Sequence, residues 1–118
     1  MNTNINVSGS KPVWPSSKED GFLAELFSQE PVSLKLDVEG ATSYRIIGGA
    51  SGNAAFSKQT DGSLPEGIRF NEATGEFYGT EKGNGFYPKA FYFYVRAYND
   101  NGHADRVIRI DIRGKRAA

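Results

Sequence analysis

The residues best suited to molecular contact lie in one stretch, Ala90 to Tyr98, which reads AFYFYVRAY. Strict alternation along a strand gives it two faces. Phe91, Phe93, Val95 and Ala97 make one face, and Tyr92, Tyr94, Arg96 and Tyr98 make the other. Arg109, on the strand that follows, lies beside the second face. Tyr and Arg are enriched in protein interfaces because each combines apolar area with a hydrogen-bonding tip. The pattern predicts a partner-binding surface of Tyr92, Tyr94, Arg96, Tyr98 and Arg109. Two other readings stand beside it: cross-strand pairing that only stabilises a sheet, or cover by the N-terminal segment. Exposed aromatic ladders are uncommon on soluble monomers, which favours the interface.

Other chemistry is poorly supplied. The single histidine, His103, falls in an expected turn without partners for a general base. Glu19 and Asp20 read as solvated loop charges. Asn99-Asp100-Asn101 superficially looks like an oxygen-rich calcium linker, but calcium wants about six to eight oxygens from several carboxylates. Only Asp100 and Asp105 lie close by, and Asn-Asp-Asn-Gly is what a tight hairpin turn requires on conformational grounds. The loop GGASGN at residues 48–53 lacks the Lys-Ser/Thr that completes a phosphate loop, so it reads as a mobile connection. No enzyme, no metal and no cofactor is expected. Arg113, Lys115 and Arg116 are too few for a nucleic-acid patch and read as a solvated tail.

The bulk properties agree. A chain of 118 residues is the size of one domain and can bury a core without staples. Cysteine is absent, so disulfides and thiolate chemistry are excluded. With 14 basic and 14 acidic residues there is no global field to attract nucleic acid or an anionic membrane. No run of about 20 apolar residues is present to span a bilayer. The start, MNTNINVSGSK, lacks the basic and apolar regions of a secretory signal. The expectation is a protein made in the cytosol.

The elements that position these residues follow from period-2 patterning. Val32, Leu34, Leu36 and Val38 face one way along a strand from Pro31 to Val38. Tyr44 to Ile47 is the next strand. Ile108, Ile110 and Ile112 face inward on the last, Arg106 to Arg113, with Val107, Arg109 and Asp111 outward. Phe22, Leu23, Leu26 and Phe27 have helical spacing, yet Gly21 opposes a helix that starts further upstream. Residues 1–11 form a polar, flexible arm, and Trp14 between Pro12 and Pro15 packs under one end of the domain. Residues 12–113 are the folded unit and 114–118 a basic tail.

One hairpin, LPEGIRFNEATGEFYGT at residues 64–80, organises the rest. Pro65 interrupts any ladder, Gly67 permits a backbone that a Cβ forbids, and Ile68 and Phe70 alternate with Arg69. Asn71 to Gly75 turn the chain, and Gly79 ends the return strand. Leu64, Pro65, Gly67, Ile68, Thr74, Gly75, Gly79 and Thr80 together resemble the signature of immunoglobulin-like repeats of the cadherin-like or dystroglycan type. The resemblance implies an all-β, two-sheet Ig-like β-sandwich of about seven strands. It implies inward Tyr44 and Ile46, an extended segment or single turn at residues 18–29, and an insertion at residues 54–63. It also sharpens the tyrosine face, because related repeats commonly carry Ser or Thr there.

The order PVW, Gly-x-Leu, VSLKLDV, SYRI, LPEGI and ADRVIRIDI resembles Ig-like modules of tailed-bacteriophage virion proteins. That implies a non-catalytic structural module, a capsid decoration protein or a small tail or neck component, whose partners are capsid or tail proteins or further copies of itself. The alternative is a bacterial cell-surface or secreted adhesion module that binds carbohydrate.

Overall fold

The computed structural model describes residues 9–16, 21–83 and 86–116. Residues 1–8 of the expected arm and the Glu19-Asp20 pair lie outside the described residues. Within them the chain forms eight strands, one more than expected. These are β1 (Phe22–Ser28), β2 (Pro31–Lys35), β3 (Ser43–Gly49), β4 (Ser57–Gln59), β5 (Ile68–Asn71), β6 (Glu76–Thr80), β7 (Lys89–Asn99) and β8 (Gly102–Lys115). One sheet has the order β1-β8-β7-β3, with β4 also paired to β7. The other has the order β2-β6-β5. β1 resolves the helix-or-strand ambiguity at residues 22–28: parallel pairing with β8 supplies its backbone partners.

The longest ladder is β7–β8, in register from Lys89↔Ile112 to Asn99↔Gly102. The inward side chains of these two strands meet Phe77 from the second sheet. Phe77, Phe93, Val95, Ile110 and Ile112 are completely buried. An aromatic series crosses the interior: Phe70 lies 4.6 Å from Phe77, and Phe77 lies 5.7 Å from Phe93, centroid to centroid. Tyr44 meets Phe70 edge-on at 6.5 Å. Ring edges against ring faces contribute beyond their area burial. Leu36 and Val38 are buried as patterned, although the β2 ladder ends at Lys35. Beyond it, Leu36 donates to the carbonyl of Gly75 and Glu39 exchanges a bridge with Val13.

The organising hairpin forms as read. β5 and β6 pair from Ile68↔Gly79 to Asn71↔Glu76. Asn71 accepts from Gly75 N through its carbonyl and from Ala73 N through its side chain. Gly67 has φ +95°, and a Cβ there would lie 2.0 Å from the carbonyl oxygen of Thr80. Backbone, not a movable side chain, occupies that space, and Thr80 N donates to Gly67 O across the same contact.

Two terminal features depart from expectation. β8 outruns β7, and the exposed arginines at and just beyond its end make surface ion pairs with the chain. Arg113 pairs with Glu25, and Arg116 forks onto Glu30 while its guanidinium sits 3.9 Å from the Phe27 ring centroid. His103 belongs to β8 and not to the turn, because that turn is closed in two residues, Asp100 and Asn101.

Gly67→Ala is expected to cost roughly 2–3 kcal/mol of unfolding free energy in urea titration, the combined cost of a left-handed backbone and a clash with fixed main chain. Thr74→Ala, at an exposed turn position, should stay within about 0.5 kcal/mol of wild type.

Candidate functional site

The outer face of the β1-β8-β7-β3 sheet carries the residues singled out in the sequence, and the ladders place them in cross-strand rows. Ser43, Tyr98 and His103 form one row, and Arg45, Arg96 and Asp105 the next. Gly48, Tyr94 and Val107 follow, with Ile47 beside them at a bulge. Tyr92 then pairs with Arg109, which is opposite Phe22 of β1.

The five expected contact residues do not share one environment. Tyr92 is 0% exposed, whereas Tyr94 is 41% exposed. The expectation of an accessible Tyr92 is therefore corrected. Residues 50–56 cover it. Ala50, Ala54, Phe56, Ala90 and Val107 pack around the ring, forming a second small core on the outside of the sheet. Gly52 lies flat on the ring; a Cβ there would come within 2.0 Å of Tyr92 Cζ. The Tyr92 hydroxyl accepts from Ala54 N at 3.1 Å. Lys58 Nζ donates to Gly52 O, and β4 zips onto β7 at Lys89, Ala90 and Phe91. The glycine-rich loop read as mobile is thus a fitted cover. The insertion at residues 54–63 holds it in place.

Arg96 and Arg109 are each committed within the chain. Arg96 forks onto Asp105 at 2.8 and 2.9 Å, and that bond holds the Asp105 carboxyl below the usual carboxylate range. Arg109 forks onto Asp111 at 2.8 Å and lies 5.0 Å over the Phe22 ring. This bidentate pair explains why Asp111, outward on β8, is nonetheless buried. Tyr98 is half-buried, its ring 6.2 Å from that of His103. What remains open on this face is an apolar pair, Tyr94 and Ile47, the latter 40% exposed. Arg45 lies beside them, exposed and without an ion-pair partner among the described residues.

At one end of the face, β3, the β5–β6 turn and the β7–β8 turn enclose an open groove of about 550 Å³. Its lining includes Ser43, Arg45, Glu72, Tyr98 and Asp100. Sequence reasoning singled out Asp100 and Tyr98 separately and gave no role to Arg45 or Glu72; no spacing links residues so far apart in the chain. The Asn99-Asp100-Asn101 segment has a structural use. Asn99 Oδ1 accepts from Asn101 N, and both asparagine amides donate to Ser10 O, which fastens the chain at that residue. No cluster of three potential metal-ligating side chains occurs among the described residues. Trp14 packs against the main core, donates from Nε1 to Ala104 O and carries the Arg106 guanidinium 5.7 Å from its ring.

One buried carboxylate lies away from these surfaces. Glu81 accepts from Gly83 N and from the Tyr87 hydroxyl. Burial, then the Glu81 contact, pushes the Tyr87 phenol well above its ordinary range. The pair clasps the loop between β6 and β7.

Truncation should separate the two tyrosines. Tyr92→Ala is expected to cost about 3–5 kcal/mol, as for a large core side chain. Tyr94→Ala should cost under about 1 kcal/mol. Denaturant midpoints measured on both variants read this directly.

A family model described as "Putative Ig domain" matches residues 27–112. Comparison with curated proteins gave no match. Two solved structures from Bacteroides fragilis share the fold, a putative alpha-galactosidase (17% identity, TM-score 0.59) and a putative alpha-galactosidase/melibiase (15% identity, TM-score 0.58). The matches cover 90% and 93% of this chain but only 18% and 20% of those proteins, so the chain spans about a fifth of their length. The two-sheet sandwich, the Gly67–Gly79 hairpin and a match over most of the chain converge: the protein belongs to this immunoglobulin-like domain family.

Proposed function

We propose that this module is non-catalytic and works by protein–protein contact, through the uncovered part of its outer sheet face. The observation that carries the reading is the pair Tyr94 and Ile47, each about two-fifths exposed on a flat, rigidly backed sheet. Arg45 borders the pair, and Tyr98 and the Arg96–Asp105 fork extend the surface. Aromatic and aliphatic area with an arginine rim is the composition of a contact surface. Tyr92, covered, and Arg109, forked onto Asp111, lie beside this surface and do not form part of it.

The setting proposed is a tailed-phage virion, as a capsid decoration or a small tail or neck protein. The support is the order of sequence motifs given above. Repeated copies around a symmetric particle would bring equivalent faces together.

A second reading has its own support. The fold likeness to segments of two bacterial proteins titled as galactosidases favours an accessory module of a secreted or surface carbohydrate-active protein. In that setting the module binds and its neighbours catalyse.

Light scattering tests the first reading. Wild type is expected to give an oligomer, and Tyr94→Ser/Ile47→Ser a monomer with its thermal midpoint unchanged to within a few degrees. A wild-type monomer would remove self-association through this face.

A further inference from the structure

The groove at the end of the sandwich contains charges of both signs that are not used on one another. Arg45, Glu72 and Asp100 line the same space. None of the three forms an ion pair among the described residues, although one is a cation and two are anions. The walls hold them apart because each wall is fixed by main-chain bonds. Glu72 O accepts from Tyr44 N, Thr74 N and Gly75 N both bond Asn71 O, and Tyr98 O accepts from Thr42 N. Asn99 Nδ2 reaches Gly40 O, and Asn101 N bonds the Asn99 side chain. The groove is therefore formed before any ligand arrives, which lowers the ordering cost of binding.

The charges limit what the groove can accept. An anionic ligand meets Glu72 and Asp100. A metal cation finds no cluster of three suitable ligands among the described residues, and it meets Arg45. A neutral ligand that both donates and accepts hydrogen bonds fits this wall: hydroxyl groups donate to the carboxylates and accept from the guanidinium. Tyr98 adds an apolar surface. Half-buried, it lines the groove with its ring 6.2 Å from that of His103 and with Ser43 as its cross-strand neighbour. C–H groups of a pyranose pack on such a ring, and its hydroxyls reach the polar rim.

We infer that the groove of Arg45, Glu72, Tyr98 and Asp100 is a binding site for a neutral saccharide. The inference rests on the second reading above and gives it a location. The site is shallow, so single sugars bind weakly and affinity is gained by chains or by repeated copies.

The experiment uses the full chain on a printed array of neutral and acidic glycans, followed by calorimetry with the best neutral binder. Neutral glycans should bind better than sialylated or uronic-acid glycans. Tyr98→Ala and Arg45→Ala should each weaken binding about tenfold or more, and Glu72→Gln several-fold, from loss of stacking or of charge-assisted hydrogen bonds. Lys35→Ala, exposed on the other sheet, should leave it unchanged. Because Tyr98 is half-buried, circular dichroism melts accompany each variant; the exposed Arg45 keeps the test decisive if Tyr98→Ala fails to fold. Glycan binding unaffected by the groove variants would overturn the site and leave the carbohydrate reading in place. Absence of binding to any glycan on the array would overturn both.

Discussion

The β7–β8 ladder is the constraint from which the rest of the structure follows. It is the longest pairing in the molecule, and every other member of its sheet attaches to one of its two edges. β8 gives its free edge to β1, in parallel. β7 gives its free edge to two partners in succession: β3 covers Phe93 to Tyr98, and β4 covers Lys89 to Phe91. A buried strand cannot leave main-chain groups unpaired, so an edge that β3 does not reach has to be met by something else. β3 runs antiparallel to β7 and β4 runs parallel to it, so the chain must reverse between them. The connection crosses the outer face, and Tyr92 lies beneath that crossing.

Much of this was legible because side-chain period maps directly onto burial. Phe91, Phe93, Val95 and Ala97 alternate in sequence and are all buried on the inner face, as are Ile108, Ile110 and Ile112. The Leu64–Thr80 hairpin was legible for a different reason: Pro and Gly constrain the backbone locally, so their positions carry conformational information without tertiary context. Tyr92 and Tyr94 show where such reading stops. They are two residues apart, on the same face, of the same type, and nothing in AFYFYVRAY distinguishes them. The difference is made by residues 50–56, which have no periodicity and few large side chains. Their smallness is functional, since only a residue like Gly52 lets backbone lie against a ring. A stretch that looks featureless in sequence is here shaped to another part of the chain.

The same asymmetry explains the charges. Arg109 with Asp111 and Arg96 with Asp105 were readable as neighbours once strands were assigned, because cross-strand and same-face pairs follow register. The groove was not readable. Its members come from two strands and two turns, and register says nothing about how turns from different sheets meet. The asparagines at the β7–β8 turn read in sequence as turn residues, with only a superficial likeness to calcium ligands. Their amides also tether Ser10 and Gly40, a use that turn chemistry alone does not announce.

The outer face is consequently divided by the fold itself. Toward β4 it is consumed by the insertion, which turns a tyrosine and an alanine into a second core. Toward the β7–β8 turn it is left open, and there the side chains are Tyr94, Ile47, Arg45 and Tyr98. The closed half stiffens the sheet beneath the open half, because Tyr92 and Tyr94 are carried on one strand and a ring locked at one position limits twisting at the next. A surface held this way pays little conformational entropy when it is covered. That property serves protein contact and glycan contact equally, and Arg45 belongs to both surfaces: it borders the apolar pair on one side and lines the polar groove on the other.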